Sequence, residues 1–484
     1  MKNSCIILAF CMAMTACQKN TNSAITQLPK NKNIASYSGP STPVALPDFL
    51  IGGYLPYWGI GTYQAYAYEH INMLYLITTI SQKTVTEEKG LIWGDNDASP
   101  TAYQQPPLAD ILSFVRSKNP DIRIVLALSD LHNNDVQRAA TATLFNNTNR
   151  AQTIQYLMRA YVDSFQLDGI DIDFEDSSLD PGFIGANYPL FIRDLATALH
   201  DSTARGRRKI CTVSLAIGDH SRSNINQDVY QNADLLGIQD YGREKMDYLQ
   251  AEPNRNLATV SDTWAQKVSK NKLAFGIGLW SQYANTSGTG AGDGMSYEAL
   301  LKLQPADTTF TPYLTTYFNA PGKPSGYVQR YNSLYETRRK AEYLKAHQFR
   351  GLFTWDITKD AVDSNYRRYS LLKLLHEWNT NPLQYKPITG FTRQDYYSSS
   401  QSIVGGFHSL TASSTNWVGI YELNTGNSIG YYQYLANSSS GSFTIPASVV
   451  QTLTTNKLYI LRFYNGAGGI GLTFLGTSHP FYKI

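Results

Sequence analysis

Residues 167–176 read Leu167-Asp168-Gly169-Ile170-Asp171-Ile172-Asp173-Phe174-Glu175-Asp176. Successive side chains of a strand point to opposite faces, so Asp171, Asp173 and Glu175 share one face and Ile170, Ile172 and Phe174 the other. Carboxyls that close cannot all stay ionised, and one or more of their pKa values must rise. Strands seldom carry such a row without a use for it. A carboxylic acid held protonated near neutral pH is what cleavage of a glycosidic bond requires. Two blander readings fail. An EF-hand calcium loop starting at Asp171 needs Gly at its sixth position and Glu at its twelfth, where this chain has Asp176 and Gly182. A charged edge strand facing water is at odds with the apolar residues on both flanks.

Working outward, short apolar runs at 51–57, 71–77, 122–128, 167–174, 210–216, 235–239, 273–279 and 350–355 alternate with longer helical patterns. Eight runs with helices between them predict a parallel (β/α)8 TIM barrel rather than an open sheet. Ile154, Leu157, Tyr161 and Phe165 recur at helical spacing just before the acidic strand and predict a helix covering the barrel wall. Catalytic groups of such barrels gather at the C-terminal ends of the strands, which is where Glu175 lies.

Asp168-Gly169-Ile170-Asp171-Ile172-Asp173-Phe174-Glu175 resembles the DGxDxDxE signature of family 18 glycoside hydrolases, the chitinases and endo-β-N-acetylglucosaminidases, with every defining position present. The resemblance implies that this segment is the fourth strand of the barrel. Gly53-Tyr54-Leu55-Pro56-Tyr57-Trp58 is similar to the first strand and Gly276-Ile277-Gly278-Leu279-Trp280 to the seventh. Arg350-Gly351-Leu352-Phe353-Thr354-Trp355-Asp356 is similar to the eighth, whose Trp would floor the sugar at subsite −1. Tyr331-Asn332-Ser333 through Lys345 is similar to the approach to that strand in bacterial chitinases.

The resemblance also implies roles. Glu175 would be the general acid. Asp173 would hold the substrate's 2-acetamido group, whose own carbonyl oxygen is the nucleophile of a retaining hydrolysis. Asp171 would share a proton with Asp173. Tyr241 and Gln239 would orient the acetamide, with Tyr54, Trp280 and Trp355 as further substrate-binding residues, and no metal or cofactor would be needed. There are departures. The third strand, Ile124-Val125-Leu126-Ala127-Leu128-Ser129-Asp130, lacks the SxGG of many members. The sixth, Leu235 to Gly242, has Gln-x-Tyr-Gly in place of Met-x-Tyr-Asp. Gln-x-Tyr occurs in plant-type chitinases and in several endo-β-N-acetylglucosaminidases, so chitin-like oligomers and the chitobiose core of N-glycans both stay open as substrates. A glycan-binding protein on a dead barrel is a third expectation, but such members typically lose the terminal Glu that is present here.

Lys2, the apolar run Ile6–Ala16 and then Cys17 have the layout of a secretion signal, too short to span a bilayer. Met14-Thr15-Ala16-Cys17 looks like a bacterial lipobox, in which Cys17 becomes the lipid-bearing first residue. Met14 stands where Leu is usual, which leaves ordinary cleavage with a free Cys17 as the alternative. The expectation is export to the cell envelope, with a lipid anchor in the outer membrane or at the cell surface. Residues 17–47, rich in Asn, Ser, Thr, Lys and Pro, read as a flexible tether. Cys5, Cys11 and Cys17 belong to the signal, leaving Cys211 alone in the mature body as a core residue with no disulfide partner. A formal charge of +3 is too small to imply nucleic acid, and Arg338-Arg339-Lys340 reads as one solvated helix face. Eight scattered histidines form no HExxH pair and no zinc pattern. A monomer is expected.

The domain reading is a signal at 1–16, the tether at 17–47, the barrel at 48–380 and a small all-β sandwich at 388–484. Between the seventh and eighth strands lies an insertion, roughly 281–330, opened by the Gly-rich run 287–292. It carries Tyr283, Tyr297, Phe310, Tyr313, Tyr317, Phe318 and Tyr327. These aromatics read mainly as a satellite core, with one or two in the wall of a glycan cleft, and Trp93, after the second strand, is open to either reading. After Asn379-Thr380-Asn381-Pro382, short runs at 403–410, 416–423, 429–435, 457–464 and 470–476 without helices between them predict an antiparallel sandwich. Trp417, Tyr421, Tyr431, Tyr432 and Tyr434 tempt a carbohydrate-binding reading, but aromatics are common in strands, and a spacer module is preferred.

Overall fold

The computed structural model describes residues 46–79, 108–129, 135–175, 179–180, 182–185, 187–241, 257–285, 292–303, 316–317, 327–385, 387–392, 396–408, 410–423, 425–466, 472–478 and 480–484. The signal, Cys17, the tether to residue 45, Trp93, Phe310, Tyr313 and Phe318 lie outside the described residues. The eight apolar runs become Leu50–Leu55, Met73–Thr79, Arg123–Ser129, Gly169–Asp173, Ile210–Ala216, Leu235–Gln239, Leu273–Gly278 and Gly351–Trp355. These are strands one to eight of a closed barrel in which each strand pairs with its sequence neighbours and strand one with strand eight, all in parallel.

Helices bury an apolar stripe against the outside of the barrel. Leu108–Lys118 turns Ile111, Leu112 and Val115 inward, and Tyr188–His200 does the same with Phe191, Ile192, Leu195 and Leu199. Cys211 is free and fully buried in this wall, as expected. The helix before strand four departs from expectation. It is α-helical over Arg150–Leu157 and continues as a π-helix over Met158–Asp163. Met158, Tyr161 and Val162, spaced i, i+3 and i+4, stay buried through this segment.

Inside the barrel Tyr54 stacks on Tyr75 with ring centroids 4.5 Å apart. Phe353 meets Tyr54 edge-on at 5.7 Å. Its room comes from glycines on other strands. A Cβ at Gly52 or Gly237 would sit 3.1 Å from Phe353 atoms, and one at Gly276 would sit 3.2 Å away. That is tighter than side chains normally pack.

Trp280–Asn285, Gly292–Ser296, Thr316–Tyr317 and Tyr327–Arg330 form a four-stranded antiparallel sheet in the insertion. Tyr297 fills a satellite core there with Leu279, Leu300 and Leu301. Among the described residues, nine strands lie C-terminal to the barrel, namely Ile388–Thr392, Tyr396–Tyr397, Ile403–Phe407, Asn416–Glu422, Ser428–Tyr434, Gly441–Ile445, Leu458–Asn465, Thr473–Ser478 and Phe481–Lys483, with one short helix, Ala447–Thr452. The region is built on β-structure as expected, but its strands join one hydrogen-bonded network in which two pairings are parallel.

Arg338, Arg339 and Lys340 are a correction. They are 8%, 1% and 4% exposed, so they do not form a solvated face. They lie on the helix Leu334–Ala346, capped by Ser333, against which the strand Ile388–Thr392 packs. Arg339 pairs with Glu336 at 3.2 Å and lies over the Phe391 ring. Arg338 pairs with Glu342 at 3.3 Å and lies over Tyr385. Glu342 also accepts the Ile388 N–H at 2.9 Å. Lys340 donates to Asn332, whose amide donates in turn to the Gly278 carbonyl at the end of strand seven. The residues from Pro43 to Ile484 belong to one compact unit.

Candidate active site

Strand four needs a close approach at its first residue. A Cβ at Gly169 would run into the Ile210 carbonyl oxygen on strand five. Beneath it, buried Asp168 accepts the Ile124 N–H at 2.9 Å and pairs with Arg207 at 2.7 Å. The first Asp of the motif thus ties neighbouring strands together at the base of the barrel. Ile170, Ile172 and Phe174 point into the helical wall, where Phe174 meets Phe145 at 5.4 Å. Asp171 and Asp173 are therefore committed to the lumen side, buried, and Glu175 emerges exposed just past the strand end.

Asp171 is the deepest of the row. Thr212 Oγ1 donates to its Oδ1 at 2.6 Å, and Tyr54 Oη and Ser214 Oγ donate to its Oδ2 at 3.0 and 3.1 Å. Burial pushes its pKa up to about 6, against the pull of these three hydroxyls. Tyr54 and Ser214 also lie 2.5 Å apart. Two hydroxyl hydrogens cannot fill three oxygen–oxygen contacts; when Asp171 is protonated, its Oδ2 donates to one of the two hydroxyls and that hydroxyl donates to the other, closing the triangle. The expected pKa rise is present in this residue. Tyr54, expected to touch substrate, is 1% exposed and sits under the row as a partner of Asp171.

One level up, Gln239 at the end of strand six donates through Nε2 to Asp173 Oδ1 and Glu175 Oε1, at 2.8 Å each. Tyr241 comes two residues later. Its ring rests on strand seven, where a Cβ at Gly276 would lie 2.6 Å away. Its hydroxyl is buried with no hydrogen-bond partner among the described residues. Burial, followed by the charges of Asp173, Glu175 and Asp171, pushes that hydroxyl well above its ordinary pKa, so it stays a donor.

Half-buried Trp355 ends strand eight, and the peptide bond after it is cis. Its ring centroid lies 5.4 Å from Tyr54 and 6.2 Å from Tyr241. Trp280 lies 5.6 Å from Tyr241, with Lys359 Nζ 5.0 Å from its ring. The barrel thus brings the carboxyl row, Gln239, Tyr241, Trp355 and Trp280 to one end. Trp58, 47% exposed and edge-on to Trp355 at 5.8 Å, joins them although the sequence reading gave it no role. Its signal was its place directly after strand one. Thr212 and Ser214 were also missed. Alternating hydroxyls on the strand beside the acidic one, with Asp171 in register with Thr212, are the pattern that marks them.

Residues 51–360 match the family model described as Glycosyl hydrolases family 18. The chain belongs to family 18. The family 18 chitinase ChiB from the chitin utilization locus of Flavobacterium johnsoniae is similar over 70% of this chain and 96% of its own, with a TM-score of 0.51 and 18% identity. A class V chitinase from Nicotiana tobaccum is similar over 68% of this chain and 98% of its own, with a TM-score of 0.52 and 17% identity. A family 18 chitinase from Cycas revoluta, solved with (GlcNAc)3, is similar over 68% and 99%, with a TM-score of 0.51 and 15% identity. At these identities the structural likeness carries the barrel fold. No curated protein matches the chain.

Proposed function

We propose that this family 18 member hydrolyses β-1,4-linked N-acetylglucosamine glycans of the chitin type, with retention and with help from the substrate. The observation that carries the reading is the graded row of carboxyls. Asp171 is buried with a raised pKa, Asp173 lies above it, and Glu175 is exposed and held with Asp173 by one amide. Glu175 protonates the glycosidic oxygen as the C1–O bond breaks. The acetamide carbonyl oxygen bonds to C1, giving an oxazolinium ion and making this an exception to the two-carboxylate scheme. Asp173 receives the acetamide N–H and faces the positive charge, while the unpartnered Tyr241 hydroxyl is free to donate to the acetamide oxygen. Water then opens the ring at C1, passing its proton to Glu175. Trp355 is the apolar floor and Trp280 a wall.

Gln239 favours a second reading, an endo-β-N-acetylglucosaminidase acting on the chitobiose core of N-glycans. Incubation with chitin oligomers and with a high-mannose glycoprotein, then product identification, separates the two. Cleavage of neither, under conditions where oligomers bind, would leave only a glycan-binding barrel. The proposal extends to export and lipid anchoring at Cys17, with a signal at 1–16, a tether at 17–47, a barrel at 48–380, a β-region at 388–484 and a monomeric mature chain. Cys17→Ser is expected to release the protein from membranes or block its processing. Unchanged membrane fractionation with normal processing would refute the anchor.

A further inference from the structure

We propose that the outer face of the C-terminal sheet binds a neutral β-1,4-linked polysaccharide chain along a row of aromatic rings crossing four strands. The inner face of the strand Asn416–Glu422 is apolar, with Val418 and Ile420 fully buried, so Trp417 and Tyr421 face outward. Strand pairing places Tyr434 opposite Trp417, Trp417 opposite Tyr464, and Tyr464 opposite Phe474. The rings touch along this line. Trp417 stacks on Tyr464 with centroids 4.6 Å apart, and Tyr464 meets Phe474 edge-on at 5.3 Å. Tyr432 lies 6.0 Å from both Trp417 and Tyr434. It is opposite Gly419, whose missing side chain leaves room for the rings of Trp417 and Tyr421.

Tyr432 and Tyr434 are 62% and 48% exposed. Large rings left in water on a folded sheet mark a binding surface when they are contiguous rather than scattered. The shape selects the occupant. Neighbouring strands are roughly 4.8 Å apart, so the row advances about 14 Å over three steps. One step is close to the advance of one sugar along a β-1,4-linked pyranose chain, so successive sugars meet successive strands. A pyranose offers an apolar C–H face to a ring and hydroxyls to tyrosine oxygens. Charge agrees with an uncharged ligand. The Arg462 guanidinium lies 4.5 Å from the centre of the Tyr421 ring and donates to the Gly426 carbonyl, and Glu422 is paired with Lys457 at 2.8 Å. The alternative occupant is a second copy of the chain, since among the described residues the strand Ser428–Tyr434 pairs only with Asn416–Glu422 and has an open edge.

This site is separate from the carboxyl row and does not depend on cleavage. The test uses the full chain carrying Glu175→Gln, so that polymer is not consumed, incubated with insoluble chitin and with cellulose. The parent chain should be retained on at least one polymer. Tyr432→Ala together with Tyr434→Ala should weaken retention about tenfold or more, from the loss of two ring contacts, while the corresponding pair of Phe substitutions should keep it. With Glu175 intact, the double Ala variant should cleave soluble oligomers at the parent rate, which separates this site from the reading of the barrel. Equal retention of the double Ala variant, no retention of the parent on either polymer, or a concentration-dependent dimer abolished by the same substitutions would overturn the proposal.

Discussion

Gln239 Nε2 donates to Asp173 and Glu175 at the same distance, 2.8 Å, so one side chain of strand six holds the carboxyl that ends strand four together with the one just beyond it. A hydrogen bond to an ionised acceptor is worth roughly 1.5–3 kcal/mol and favours the charged form. Gln239→Leu removes both donors with little change in bulk. The maximal rate should fall as Glu175 loses its orientation, and the alkaline limb of kcat/KM against pH should move upward. A lower rate with an unmoved limb would mean that the amide acts on geometry alone.

Glu175→Gln keeps the shape and a hydrogen bond but has no proton to deliver. General acid catalysis contributes ~10²–10⁴-fold, so turnover should drop by at least that range while oligomer binding persists. Asp173→Asn should slow the reaction by misplacing the acetamide. Kinetics on an N-acetylglucosaminide beside a glucoside analogue without the acetamide check the mechanism. Equal rates on the two would rule out the acetamide as nucleophile.

Asp171 links the site to folding. Its carboxyl lies at about 6 in the folded chain against an ordinary 3.8. The native state therefore keeps a proton that the unfolded chain releases. The stability this contributes is present below the ordinary value and is lost as pH rises through 6, amounting to about 3 kcal/mol. Asp171→Asn removes that dependence. Denaturant titrations at intervals from pH 4 to 7 should show the variant gaining on the parent as pH rises, and a constant difference would place Asp171 at its ordinary pKa.

Arg339 makes the barrel depend on the C-terminal strands. Arg339→Ala removes one cation from the buried pair with Glu336, itself 2% exposed. Breaking such a pair costs about 3–5 kcal/mol. A chain ending near residue 380 also strips away Phe391, Tyr385 and the Ile388 N–H, so it should melt well below the full chain. Thermal unfolding of both variants checks this. A truncated chain as stable as the parent would show that the helix Leu334–Ala346 tolerates exposure of its cations.

Much of the barrel was legible because each strand is a short apolar run with a helical period on either side. Leu235–Gln239 and Ile210–Ala216 coincide with their sequence spans to the residue. The carboxyl row was legible because period two is unambiguous when charge and β-branched residues alternate. What the sequence hid is tertiary. Three consecutive cations on a helix look solvated until the strands folded over them are known, and nothing local marks Phe391 as the ring that meets Arg339. Ile388–Thr392 and Gly441–Ile445 escape notice as strands because Gly, Ser and Thr dilute their apolar signal; the first is buried at every position, and in the second only Phe443 and Ile445 alternate inward. Tyr54 reads as a substrate contact because position along a strand does not reveal depth in a barrel.

Phe353 belongs to strand eight, but the space it occupies is left open by Gly52, Gly237 and Gly276 on strands one, six and seven. A larger residue at Gly237 meets Phe353 first, while one at Gly52 or Gly276 meets Tyr75 or Tyr241 as well, so each demands changes at its neighbours. A smaller residue at 353 alone leaves a void that the glycines cannot close. Substitutions in this layer must therefore be inherited as a set, and descendants of this chain cannot widen or narrow the lumen one mutation at a time. Loops in general tolerate substitution and insertion more readily than the strands they connect. Divergence in which glycan is preferred has its accessible path there, over a floor that stays the same.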